Sequence, residues 1–400
     1  MKRIPLNFPT FGDEEINAAI EVLKSTYVTM GRRCREFERA FAKFVGIEEA
    51  VFVNSGSSAN LLVFFALANH AAPRLKGKRQ FIPGSEVIVP AVSWSTTIWP
   101  IVQAGGIPVF VDCDIHTLQM NPDAMRSALT DKTVAVCAVH VLGNTVQIEE
   151  VVAFAAENDL WIVEDTCEAL GARYASKHAG TFGDAATFSF FFSHHITTVE
   201  GGMIVTNNNE LAELMRCLRA HGWTRDLEGR QQKEALYPNI DSDYLFINTG
   251  FNLRPTEINA AFGLIQLRKL SAFNRRRNEI ASIWNTRLLP LVEQGIFHPM
   301  QPTDRADPAW FGYPVICRDT RTRGALKRYL HGHNIESRPI ICGNMVRQPA
   351  LAHIPHRVSG NLDGADKVME CGLLWGLSPA MTDQDLEYIS NVILEFARSV

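Results

Sequence analysis

A histidine, an aspartate and a serine-rich turn, each following an apolar run, are the residues of this chain best placed for chemistry. His194 closes the stretch Ala-Ala-Thr-Phe-Ser-Phe-Phe-Phe-Ser-His at 185–194 and stands six positions before the glutamate of Glu200-Gly201-Gly202. An imidazole accepts and donates protons near neutral pH. Its neighbour His195 points the other way in an extended chain, which suits a structural or supporting role. Asp165 ends the run Trp-Ile-Val-Glu-Asp at 161–165, where a carboxylate is costly to bury unpaired. It faces a ligand there, or it caps a loop or pairs with an arginine. The turn Asn-Ser-Gly-Ser-Ser-Ala-Asn at 54–60 follows one apolar run and opens a helix-like one. Backbone N–H groups at such a start, with Gly56, Ser57 and Ser58 around them, form a seat for phosphate. A plain N-cap explains the same serines. Ser189 offers one more hydroxyl, and Trp94 offers either a face for a flat ring or ordinary core packing. Asn252 and Arg254 are polar residues in a turn at 250–257 punctuated by glycine and proline.

These segments need a frame that gathers strand ends. Apolar runs at 50–53, 86–89, 109–111, 134–139, 161–163, 186–190 and 203–206 alternate with helix-like runs such as 58–68, 122–129 and 148–157. Continuous apolar strands separated by helices predict an α/β fold, with a mostly parallel seven-stranded sheet covered on both faces. Ligands of such sheets bind beyond the carboxyl ends of the strands, where the residues above fall. Residues 13–24 have helical spacing, with Ile16, Ala19, Ile20 and Leu23 on one face. Residues 232–247 read as a polar surface loop. Pro255, Thr256 and Glu257 begin a long helix over 256–277 that leaves the large domain. The remainder mixes a strand at 311–317 with helices at 323–331 and 383–398, so a smaller α+β domain is expected, divided from the first as 1–265 and 266–400.

Composition excludes other classes. A hydrophobic content of 46% with 20% charged residues is that of a globular enzyme. A net charge of −4 predicts neither a nucleic-acid nor a membrane partner. The first residues lack the apolar run of a signal peptide, so a cytoplasmic location is expected. The cysteines are scattered without Cys-x-Cys or Cys-x-x-Cys, a pattern of reduced, mostly buried thiols and not of a metal site.

Taken together and in this order, the segments resemble the DegT/DnrJ/EryC1/StrS family of sugar-modifying enzymes that use pyridoxal phosphate (PLP), over nearly the whole chain. The resemblance implies a type I PLP-dependent aminotransferase fold. It also implies that Gly56, Ser57, Ser58 and Ser189 hold the cofactor phosphate, that Asp165 pairs with the pyridine nitrogen, and that Trp94 packs on the ring. Glu168 stands beside the cofactor where the aminotransferases have Gln or His. Asn252 reaches the phosphate of the neighbouring subunit's cofactor, so a homodimer with shared active sites is expected.

In the family a lysine stands six residues before the glutamate of Glu-Gly-Gly and tethers the cofactor as a Schiff base. Here that residue is His194, which moves protons but forms no imine. Segments 90–97, 193–196, 200–202, 219–225 and 338–340 are similar to one histidine-bearing branch, 3-dehydratases acting on GDP-4-keto-6-deoxy-D-mannose in colitose synthesis. That branch implies non-covalent pyridoxamine phosphate (PMP), L-glutamate as amino donor, a nucleotide-diphosphate sugar as substrate, and release of ammonia. Its substrate contacts would be Thr29, His221, Arg225, Arg254 and Arg338. His194, titrating near neutrality, would serve as base and then acid. A second histidine-type branch binds a [2Fe–2S] cluster through a pattern containing Cys-x-Cys, so no cluster is expected here. The competing readings are an ordinary sugar aminotransferase using a lysine elsewhere, and a catalytically silent ligand-binding protein of the same fold. No lysine of the chain stands in a strand-end motif like that around His194.

Overall fold

Runs that are apolar on both sides find burial only within a sheet covered by helices on either face. That arrangement appears in the computed structural model, which describes residues 3–73 and 77–398. Lys2 and Lys76, two of the lysines weighed above, lie outside the described residues. In chain order the strands are β1 (Glu49–Val53), β2 (Glu86–Pro90), β3 (Ile107–Val111), β4 (Thr133–Val139), β5 (Trp161–Asp165), β6 (Arg173–Tyr174), β7 (Lys177–His178), β8 (Ala185–Ser189) and β9 (Gly202–Thr206). Then follow β10 (Phe297–Pro299), β11 (Ala306–Asp307), β12 (Gly312–Cys317), β13 (Ser337–Arg338), β14 (Arg357–Val358) and β15 (Gly372–Gly376).

The main sheet has the order β1-β9-β8-β5-β4-β2-β3-β14. Strand β9 runs antiparallel to β1 and β8, and the pairs from β8 to β14 are all parallel. The seven apolar runs all become strands of this sheet, but β14 makes an eighth, so the expected seven-stranded sheet is one strand too small. Two residues leave no periodicity to read. Arg357 fastens β14 in place: its guanidinium meets Glu86 at 2.7 and 3.0 Å and the Ala128 carbonyl at 2.6 Å.

Alternation along β8 sends Phe188 and Phe190 to the face opposite Ser189. There they pack with Phe37, Phe41 and Phe52, ring centroids 5.0–6.2 Å apart. Each fully buried ring contributes roughly 1.5–3 kcal/mol, so the strand carrying Ser189 rests on a stiff base.

Thr256 caps the long helix and Asn259 completes its capping box, and the helix then runs Glu257–Arg287, well beyond the expected end at 277. It passes the 265/266 position as one continuous element. Beyond it, β10, β12, β15 and β13 form an antiparallel sheet with its own core around Trp284, Tyr313 and Trp375. Residues 232–247 are mostly exposed, with a short helical turn at either end of the stretch (Arg230–Glu234 and Ser242–Tyr244).

The first helix, Asp13–Ser25, forms as expected, but its apolar face is turned outward. Ile16, Ile20 and Leu23 are exposed, Leu23 by 56%, while Glu15 is buried. Glu15 accepts hydrogen bonds from Gln266 at 2.8 Å and Lys269 at 2.7 Å, and these polar partners on the long helix orient the segment. No helix among the described residues is long and apolar enough to cross a membrane. The cysteines are unbridged and mostly buried, with Cys167 and Cys342 half-buried.

Candidate active site

The carboxyl ends of β1, β2, β4, β5 and β8 open onto a cavity of about 420 Å3. Gly56 and Ser57 reach it from the turn after β1, and Trp94, Thr96 and Thr97 from the turn after β2. His140 follows β4, Asp165 ends β5 with Glu168 just beyond it, and Ser189 ends β8 with His194 beyond it. Phe311, Arg338 and Ile341 close it from the C-terminal part of the chain.

Asp165 is 4% exposed. Its carboxylate accepts hydrogen bonds from Asn60 Nδ2 at 2.9 Å, Thr97 Oγ1 at 2.7 Å and the Cys167 amide at 3.1 Å. All three donors are neutral, so among the described residues the buried carboxylate meets no cation, and it lines the cavity. A protonated pyridine nitrogen supplies what is lacking, and the cofactor implied by the family resemblance fits this residue. Thr187 in turn donates to Asn60 Oδ1 at 2.7 Å, which fixes the amide's orientation. Asn60 and Thr97 escaped the sequence reading. The signal was available for Asn60: an amide amid the apolar residues of the helix Gly56–Leu67 requires a buried partner.

The phosphate seat is built from two helix starts. Ser57 Oγ donates to Thr96 Oγ1 at 2.9 Å, joining the first turn of Gly56–Leu67 to that of Ser95–Gln103. A Cβ on Gly56 would lie 2.6 Å from that of Ser189, so only glycine lets this helix start against the end of β8. Ser58 is used differently from the expectation. Its amide and hydroxyl both bond Ser55 Oγ, at 3.0 Å each, so it belongs to the N-cap and does not line the cavity. Trp94 is 55% exposed at the cavity wall, which rules out the core reading.

His194 is half-buried, with its Nδ1 2.7 Å from the Cys167 carbonyl. Nδ1–H must donate there, which leaves the Nε2 lone pair free. Burial pulls the imidazole's pKa down to about 4, although the Cys167 carbonyl and Asp165 oppose the shift. The near-neutral titration expected from sequence is therefore corrected: the group is a neutral base at pH 7, and its conjugate acid is strong. His195 points away, fully buried, and its Nε2 is 2.7 Å from the Ala309 carbonyl. Glu168 behaves in the opposite sense. Burial pushes its carboxyl up to about 7, with the Asp165 charge adding to the rise and the Leu142 amide, 3.0 Å away, opposing it.

Besides Ser58, five expected residues do not line this cavity. Thr29 bridges the backbone of Thr256, and the Ala220 backbone bridges Asn252. Arg254 Nε donates to Asn252 Oδ1 at 3.0 Å. His221 adopts φ 65° while its amide donates to the Phe251 carbonyl at 2.7 Å, and Arg225 lies 5.0 Å from the Trp223 ring. They form a second cluster near the cavity rim. Asn259, in the turn that follows Thr256, donates to the carbonyl of the cavity residue Glu200 at 2.9 Å.

A family model described as the DegT/DnrJ/EryC1/StrS aminotransferase family matches residues 9–394. The GDP-4-keto-6-deoxy-D-mannose 3-dehydratase of Yersinia pseudotuberculosis is 36% identical, over 98% of this chain and 100% of the relative. The dTDP-4-dehydro-2,6-dideoxy-D-glucose 3-dehydratase of Saccharopolyspora spinosa is 38% identical, over 95% of this chain and 83% of the relative. Among solved structures, GDP-4-keto-6-deoxymannose-3-dehydratase with a trapped PLP-glutamate geminal diamine superposes with a TM-score of 0.87 at 36% identity, covering 97% of this chain and 99% of that one.

Proposed function

The chain belongs to the DegT/DnrJ/EryC1/StrS family, and from that premise we propose that it is a nucleotide-sugar 3-dehydratase. It removes the C3 hydroxyl of a nucleotide-linked 4-keto-6-deoxyhexose, GDP-4-keto-6-deoxy-D-mannose, as a cytoplasmic step towards colitose. The observation that carries this reading is His194, an untethering residue at the family's lysine position, with Nδ1–H engaged and Nε2 free.

Bound PMP supplies an amino group for the C4 ketone and an electron sink. The protein does the rest. Asp165 would pair with the ring nitrogen, Gly56, Ser57 and Thr96 would seat the phosphate, and Trp94 would pack on the ring. His194 Nε2 accepts a proton and, as imidazolium, gives it to the C3 oxygen as that departs. Its depressed pKa makes the imidazolium a good donor to a poor leaving group. L-Glutamate would be the amino donor, so that sugar and glutamate would give 3-deoxy sugar, 2-oxoglutarate and ammonia overall. Cofactor binding is non-covalent, and no lysine lines the cavity among the described residues. No iron–sulfur cluster takes part.

The working form is a homodimer with shared sites. The exposed stripe Ile16, Ile20 and Leu23, with Tyr27 at 83% exposure, supports an apolar subunit contact. The rim cluster of Thr29, His221, Arg225, Asn252 and Arg254 would then serve the partner's cavity. Division into a cofactor-binding unit, 1–265, and a smaller unit, 266–400, is part of this reading, supported by Phe311 and Arg338 reaching the cavity from the second.

The dTDP-linked sugar named for the Saccharopolyspora relative is the second reading, favoured by that protein's 38% identity. Incubation with PMP, glutamate and a panel of GDP- and dTDP-linked 4-keto sugars, following ammonia, decides both points. Ammonia release with the GDP sugar is expected. Release confined to the dTDP sugar moves the substrate, and an aminated hexose without ammonia removes the dehydratase reading.

A further inference from the structure

Arg277, on the helix Glu257–Arg287, is 2% exposed and pairs with no carboxylate among the described residues. Nη1 donates to three carbonyls instead: Leu377 at 2.5 Å, Phe311 at 3.0 Å and Trp310 at 3.5 Å. Its Nε is buried without a partner, and burial lowers the guanidinium's pKa to about 10. A buried cation with no carboxylate partner is costly to retain. A tether between helix and chain needs no such charge, since an apolar contact would serve.

The carbonyls that Arg277 holds lead to the reactive histidine. The Phe311 ring lies edge-on to His194 with centroids 5.0 Å apart, and 5.7 Å from His195. Ala309, two residues earlier, accepts the hydrogen bond of His195. The other side of this stretch is fastened to the turn after β4: Ala309 N–H donates to Gly143 O at 2.9 Å and Phe311 N–H to Leu142 O at 3.1 Å. A Cβ on Gly143 would lie 1.8 Å from the Ala309 oxygen, so only glycine permits the approach. Residues 309–311 thus form a plate behind both histidines. The turn after β4 and Arg277 hold it from opposite sides.

We propose that Arg277 is a positioning residue for the dehydration, fixing the Trp310–Phe311 backbone so that the Phe311 ring holds the His194 imidazole aimed into the cavity. This rests on His194 being the proton carrier. The electrostatics agree. Beyond burial, the Arg277 charge pushes the pKa of both His194 and His195 down, while Asp165 and the Cys167 carbonyl pull that of His194 up. Glu168, Glu200 and Arg338 are the other charged groups on the cavity wall, and His195 adjoins. Arg277 is thus the cation, buried and remote from solvent, that opposes a second positive charge on the imidazole.

The test is NMR of histidine ring carbons in the full-length protein, with the His194 signal assigned by loss in His194→Asn. Arg277→Met is expected to raise the His194 titration midpoint by about one pH unit. It should also lower kcat about 10- to 100-fold with the KM for nucleotide sugar unchanged. Phe311→Leu keeps the guanidinium, removes the ring and admits water, so the midpoint is expected to move the same way. This second variant decides the matter if Arg277→Met does not fold. A wild-type midpoint in a folded Phe311→Leu or Arg277→Met protein overturns the proposal. Failure of the underlying reading shows separately, as undiminished dehydration by His194→Asn, because the NMR titration needs no turnover.

Discussion

The cavity wall and the rim cluster are built from equally recognisable motifs, yet only the first forms a site within one chain. Asp165, Ser189, His194 and the Gly56 turn converge because each ends or follows a strand of one sheet, and the sheet puts all those ends on one edge. Thr29, His221, Arg225, Asn252 and Arg254 follow no such strands. Backbone bridges join Thr29 to Thr256 and Asn252 to Ala220, Arg254 pairs with Asn252, and none of the five lines the cavity. The difference separates residues gathered by the strand ends of a parallel sheet from residues placed by local backbone bridges.

The largest expected effect breaks the wall. His194→Lys is expected to lower dehydration, measured as ammonia release, about 10²- to 10⁴-fold. Borohydride should trap a lysine adduct in this variant and none in the wild type. A wild-type adduct would show that another lysine occupies the site.

Mixing sharpens the contrast between wall and rim. His194→Asn and Asn252→Ala are each expected to lose most activity alone. If Asn252 serves the partner's cavity, a mixed dimer contains one site with both residues intact, and co-refolded chains regain activity. If Asn252 serves its own chain, both sites of the mixed dimer are broken and nothing returns.

The smallest effect concerns charge inside the wall. Burial pushes the Glu168 carboxyl up to about 7, above its ordinary 4.5. A carboxyl raised on folding contributes stability fully present below its unfolded pKa and lost as pH rises through about 7. Glu168→Gln keeps an acceptor for the Leu142 amide and removes this loss. Above pH 7 it is expected to melt higher than wild type by on the order of 2 kcal/mol, with the difference vanishing near pH 4. Equal melting curves at pH 8 would show that the carboxyl is not held neutral by its surroundings.

Much of the fold was legible because burial on both faces writes itself as unbroken apolar runs, and all seven found places in the main sheet. Strand β14 was not, since its position depends on Arg357 reaching Glu86 across the sequence. The outward face of Asp13–Ser25 was also hidden: its apolar spacing is genuine, but the partners of Glu15 turn it to solvent. At the site, His194 and Asp165 stood out by residue type. Ser58 misled, because a hydroxyl at a helix start serves its own cap as readily as a ligand.

Local sequence alone determined the α/β alternation, the strand-end placement of His194 and Asp165, and the absence of a lysine at the tether position, all of which follow from the order of side chains along the backbone. Tertiary structure decided the protonation of His194 and Glu168. Burial lowers His194 and raises Glu168, the Cys167 carbonyl selects the tautomer, and Arg277 and Phe311 arrive from more than eighty positions away. A pKa depends on the dielectric and charges surrounding a group in three dimensions, and these are known only once distant segments have packed.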